Sequence, residues 1–105
     1  MQTSMPNVYA AGDVTGFSML AHTASREAEV AVNHMTGTED CMQYNAIPGV
    51  VYTNPEVAAV GLTEEQAAKE GIEYRLCKLP MTYSGRFVAE NEGQTGLCKI
   101  LVSPQ

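Results

Sequence analysis

Short apolar runs separated by turn residues make up most of this chain, and a helical period runs through one long segment. Pro6 leads into the run Asn-Val-Tyr-Ala-Ala at 7–11, and Gly12 closes it, which predicts a short buried strand. Residues 18–35 predict a helix. Leu20, Ala24, Ala28, Ala31 and Met35 recur at three- and four-residue intervals, one face of a 3.6-residue period. That face is mostly alanine, so a flat group or another backbone can come close to it. Ser18 is placed to cap the helix and Gly37 to stop it. Residues 38–45 read as a polar connection.

The pattern changes after residue 48. Residues 50–53 and 57–62 predict strands on either side of the turn signal Asn54-Pro55. Thr63-Glu-Glu-Gln66 is a capping box, so a helix starts there, runs to about Glu70 and stops at Gly71. Residues 73–81 predict a strand, 83–88 are ambiguous, 92–96 read as a turn, and 97–102 predict a final strand. Strands grouped with one helix indicate an α+β fold with an antiparallel sheet. The chain begins directly before one strong strand and ends directly after another, so it reads as a piece of a longer protein. The last strand would then lack partners, and an unpaired edge invites pairing with another chain.

Composition narrows the function classes. With 105 residues there is room for one modest core. Formal net charge is −6 and the six basic residues are scattered, which excludes a phosphate-tracking surface and so a nucleic-acid partner. No apolar run approaches the ~20 residues of a membrane span, and the start, MQTSMPN, has no signal-peptide character. Cys41, Cys77 and Cys98 are far apart and odd in number. They read as reduced cysteines of a cytoplasmic protein. Cys41, His34 and His22 match no zinc-ligand spacing, so no metal is expected. The methionines read as core filler or interface contacts, Arg75 and Arg86 as solvated or ion-paired, and Tyr52, Asn54, Pro55 and Glu56 as a structural turn.

The candidate chemistry lies at Gly12 and Asp13. A strand that ends in Gly-Asp before a helix can serve a ligand: the glycine admits close approach, the carboxylate accepts from hydroxyls, and the helix start offers free N–H groups and a positive dipole end. A plain turn and cap would look the same locally.

The wider sequence bears on that choice. The run Thr-Ser-Met-Pro-Asn-Val-Tyr-Ala-Ala-Gly-Asp-Val-Thr-Gly at 3–16 resembles the second flavin-binding motif of the FAD-dependent pyridine nucleotide–disulfide oxidoreductases. Within that family the following Met19-Leu-Ala-His22 resembles the dihydrolipoamide dehydrogenases. The run 47–61, with Thr63-Glu-Glu-Gln66 and Gly71-Ile-Glu-Tyr74 after it, is similar to the start of the family's interface domain.

The resemblance implies that residues 1–40 are the C-terminal end of an FAD-binding domain and 45–105 the truncated N-terminal part of a dimerisation domain. It implies that Gly12 and Asp13 meet the ribityl chain of FAD. Met19, Leu20, Ala21 and His22 would pass beside the isoalloxazine ring, where backbone N–H groups stabilise negative charge on the reduced flavin. It further implies a homodimer, and for the intact enzyme NAD as a second cofactor and lipoyl-bearing complex subunits as partners. No GxGxxG and no CxxxxC occur here, so the chain alone is expected to be inactive.

The family's catalytic His-x-x-x-x-Glu belongs near its C-terminus. His22 and Glu27 match it letter for letter, but they follow the flavin motif directly. Five positions also place them about 140° apart on a helix, so the match reads as coincidence and no residue here is expected to be catalytic. A mercuric or glutathione reductase type of enzyme and a stand-alone dimerisation or binding module are the rival readings.

Overall fold

Helix α1 (Ala21–Met35) is the longest element and organises the first of two compact units, Met1–Gly61 and Leu62–Gln105. The computed structural model describes residues 1–104. Its elements are helices and antiparallel strands, the α+β class that the sequence predicts. The strands form two separate two-stranded sheets instead of one.

In the first unit the predicted strand at 7–11 is reduced to a single bridge, Tyr9 with Gln2. A strand needs neighbours, and among the described residues only 1–3 run alongside: Thr3 N–H donates to Val8 C=O at 2.8 Å and Ala10 N–H to Met1 C=O at 3.1 Å. Pro6 and Asn7 turn the chain between them, with Asn7 at a φ of 61°, the left-handed position that asparagine tolerates after proline.

Helix α1 starts at Ala21 and not at Ser18. Leu20 at its cap is extended, and the Ser18 hydroxyl pairs with that of Thr23 at 2.9 Å instead of capping backbone. The helix ends where expected. Gly37, at a φ of 79°, donates to His34 C=O at 3.2 Å while Thr38 N–H reaches Asn33 C=O at 2.8 Å, the two bonds of a Schellman stop.

The buried stripe of α1 is Thr23, Glu27, Val30 and Ala31; of the predicted face only Ala31 is fully buried, and Ala28 and Met35 are exposed. Met5 and Met19 are exposed as well, so they are not core filler. Behind the helix Asp40 holds the returning chain: it accepts from Arg26 at 2.6 Å, Asn33 at 2.7 Å and Cys41 N–H at 2.8 Å.

Strands β1 (Gly49–Val51) and β2 (Val57–Ala59) pair antiparallel, Val50 opposite Ala58. Both are shorter than predicted, because the turn takes Tyr52 to Glu56 and each strand finds only three partners. Val50, Val51 and Val57 are exposed.

The second unit follows its local signals closely. Helix α2 (Glu64–Glu70) carries the predicted capping box: Thr63 Oγ1 accepts from Gln66 N–H at 3.2 Å and Gln66 Oε1 from Thr63 N–H at 2.9 Å. Gly71, at a φ of 68°, ends it. Strands β3 (Arg75–Pro80) and β4 (Leu97–Val102) pair from Arg75–Val102 to Pro80–Leu97. The ambiguous residues 83–88 fall in a 3₁₀ turn (Met81–Tyr83) and helix α3 (Gly85–Glu90), where Ser84 Oγ accepts from Phe87 N–H at 3.3 Å. Lys78 and Lys99 stand opposite each other in the ladder, and Lys99 is drawn instead to Glu64 at 2.8 Å. Leu76, Leu79, Leu97, Ile100 and Val102 are exposed on this sheet.

Candidate functional site

Gly12 turns the chain at a φ of 83° and ψ of −159°, a region that glycine alone enters without strain. A Cβ built there would stand 3.5 Å from the Cβ of Ala24, so the corner rests against α1. The next three residues form a tight 3₁₀ turn, Asp13–Thr15, closed by Thr15 N–H to Gly12 C=O at 2.9 Å and Gly16 N–H to Asp13 C=O at 3.0 Å. The Asp13 side chain points into solvent with no hydrogen bond among the described residues.

What anchors this corner is Glu27, fully buried on α1. Its Oε2 accepts from Gly12 N–H at 2.6 Å. Its Oε1 accepts from the Tyr44 hydroxyl at 2.7 Å and from the Thr15 hydroxyl at 3.2 Å. Thr15 has one proton to share between Glu27 and Gly12 C=O, which lies 2.9 Å away. The Phe17 ring lies against that of Tyr44, with centroids 5.0 Å apart.

Burial pushes the Glu27 carboxyl up, but the bonds from Tyr44, Gly12 and Thr15 outweigh it and hold the group below its ordinary 4.5. Burial, and then the bond to Glu27, push the Tyr44 hydroxyl above its ordinary 10.0.

The signs fix a pH window. A depressed carboxyl contributes stability above its unfolded value, and loses it as pH falls through the folded one. A raised phenol contributes below its unfolded value and loses it as pH rises through the folded one. The urea midpoint of the first unit should therefore be flat across neutrality and fall at both extremes. Asp40, held low by Arg26 and Asn33, adds to the acid limb. Glu27→Gln should shrink that limb, and an unchanged acid limb would refute the assignment to Glu27.

The other predicted residues lie at the start of α1. Met19, Ala21 and His22 are exposed and Leu20 is half-buried. The first helical bond runs from Ala24 N–H to Leu20 C=O at 3.0 Å, so the N–H groups of Ala21, His22 and Thr23 have no partner within the helix. His22 Nε2 lies 2.9 Å from Pro48 C=O, which makes it the protonated nitrogen of the ring. His22 and Glu27 share no hydrogen bond among the described residues.

An open cleft of about 730 Å³ is lined by His22, Arg26, Asp40, Cys41, Ile47 and Pro48. Of the six predicted residues only His22 borders it; Gly12, Asp13, Met19, Leu20 and Ala21 line neither this cleft nor the smaller pocket beside Tyr44. Among the described residues no group of three His, Cys, Asp or Glu side chains could hold a metal, and no helix is long and apolar enough to cross a membrane.

Sequence reasoning passed over Glu27, Thr15 and Tyr44. A charged residue in a helix is normally assigned to the solvent side, and the one motif that touched Glu27 was its pairing with His22, which reads as coincidence.

Residues 47–105 match the family model described as pyridine nucleotide-disulphide oxidoreductase, dimerisation domain, which implies self-association. The chain is 46% identical over 100 residues to the mitochondrial dihydrolipoyl dehydrogenase of Mesocricetus auratus, covering 95% of this chain and 21% of that protein. The mitochondrial dihydrolipoyl dehydrogenases of Bos taurus and Homo sapiens show the same 46% over 95% of this chain and 19% of theirs. A crystal structure of LpdA from Mycobacterium tuberculosis superposes with a TM-score of 0.83 at 29% identity, covering 97% of this chain and 22% of that one.

The chain thus spans about a fifth of the length of the curated relatives it matches. These relatives are mitochondrial, which overturns the expectation of a cytoplasmic protein: reduced cysteines and a polar start do not distinguish the two compartments. By the family match and these identities, the chain belongs to the pyridine nucleotide-disulphide oxidoreductases.

Proposed function

We propose that this chain serves the oxidation of dihydrolipoyl groups by NAD⁺, with residues 1–40 contributing the ribityl end of an FAD site and residues 45–105 contributing dimer contacts. One observation carries the reading: the open Asp13 carboxylate stands on a glycine corner that leads into a helix with free N–H groups, in a chain similar to dihydrolipoyl dehydrogenases along 95% of its length.

The residues fit a flavin. Asp13 would accept from the ribityl hydroxyls. Gly12, bare of a side chain, keeps the corner close to α1. The N–H groups of Ala21 and His22, at the positive end of the helix, would stabilise negative charge at the pyrimidine edge of the ring. Met19 and Leu20 would lie beside the ring. Bound FAD supplies the electron-transfer chemistry; the protein binds, orients and tunes it. The exposed valines of β1 and β2 and the exposed leucines of β3 and β4 support the dimer role, because apolar side chains left open in number mark interaction surfaces. Lipoyl-bearing subunits would be the partners of the whole enzyme.

Titration of the chain with FAD, followed by flavin fluorescence, tests this. Asp13→Ala should weaken binding roughly tenfold or more, the scale of one hydrogen bond to a charged group. Equal affinity of the variant and the wild type would refute the ribityl contact. Lipoamide-dependent NADH oxidation by the 105-residue chain, above a no-protein control, would refute the division of labour.

A further inference from the structure

The flavin reading leaves the most deeply buried charge in the first unit without a role. Glu27 cannot reach a ligand, because its two oxygens are both engaged and it is sealed from solvent. A buried carboxylate has a large desolvation cost, and an apolar residue would fill a helix face more simply.

Its partners show what it does instead. Gly12 and Thr15 are the two ends of the turn that carries Asp13, and Glu27 binds both ends. Tyr44, from the chain beyond α1, donates to the same carboxylate oxygen as Thr15. We propose that Glu27 is a positioning residue for the flavin site: it sets where Asp13 stands by holding Gly12 N–H and the Thr15 hydroxyl, and it never touches the cofactor. This inference rests on the flavin reading and deepens it.

Glu27→Gln is the informative variant. The amide oxygen can take Gly12 N–H, a donor that cannot reverse, while its NH₂ group faces hydroxyls of Thr15 and Tyr44, which can turn and accept. The unit should therefore fold, with the Gly12 bond deprived of its charge. Charge-assisted bonds are about twice as strong as neutral ones, so the corner should loosen without collapsing.

Two readouts on the full chain decide the matter. In ¹H–¹⁵N spectra the Gly12 amide should lie well down-field in the wild type, follow the titration of Glu27, and move up-field in Glu27→Gln while the last turns of α1 stay put. In FAD titrations Glu27→Gln should bind several-fold more weakly than wild type. The loss should vanish in the Asp13→Ala background, because a residue that acts through Asp13 has nothing left to position.

Unmoved amides at 12–15, or equal losses in the two backgrounds, would overturn the role of Glu27 while leaving the flavin site intact. Equal FAD affinity of Asp13→Ala and wild type would overturn the flavin reading, and this inference with it.

Discussion

Glu27→Ala should destabilise the Met1–Gly61 unit by about 3 kcal/mol, the combined scale of a stranded buried donor and lost bonds to a charged acceptor. The three donors do not suffer equally. Thr15 keeps Gly12 C=O as an acceptor at 2.9 Å. The Tyr44 hydroxyl can turn to Met1 Sδ, already 3.8 Å away, a weak acceptor. Gly12 N–H has no such freedom, since backbone geometry aims it into the space the carboxylate vacates. Most of the cost therefore falls on that one amide and on the cavity left behind. Urea unfolding monitored by amide resonances of residues 12–44 would measure it, with the resonances of the second unit as an internal control. A change below about 0.5 kcal/mol, the range of ordinary surface substitutions, would show that the carboxylate anchors nothing.

In the second unit the largest expected effect comes from Gly96→Ala, about 2 kcal/mol by overpacking. A Cβ at Gly96 would stand 2.9 Å from Phe87 Cζ, 3.0 Å from Phe87 Cε2 and 3.1 Å from Met81 Cβ. Met81 Cβ is tied to the backbone and cannot retreat cheaply, so the Phe87 ring has to turn to make room. Gly96 is pinned by Met81 N–H, which donates to its carbonyl at 2.9 Å. Phe87 is held at both ends of its backbone: its N–H donates to Ser84 Oγ at 3.3 Å and its C=O accepts from Asn91 N–H at 2.9 Å. The glycine is thus required by crowding, not by its dihedral angles. Thermal unfolding of the variant should show a lower midpoint, with α3 loosened first. A wild-type midpoint would mean that the ring swings aside freely.

The local devices were legible in the residues alone. The capping box of α2, the glycine stop of α1 and the Asn-Pro turn are all where their residues predict them, because each is made by groups within a few positions of one another. The α+β class follows from the same short-range patterns. The Gly-Asp corner was equally legible, because its residues are contiguous in the chain.

The rest depended on contacts between distant parts of the chain. The run at 7–11 has strand character, yet a strand exists only where neighbours lie alongside, and among the described residues only 1–3 do. The alanine period marked a plausible face of α1, but the buried stripe is shifted around the helix to Thr23 and Glu27. That shift follows from donors 15, 12 and 17 positions away in the sequence, at Gly12, Thr15 and Tyr44. A carboxylate is assigned to solvent by its own chemistry, and only the folded chain can bring enough distant hydrogen-bond donors to one point to make its burial favourable.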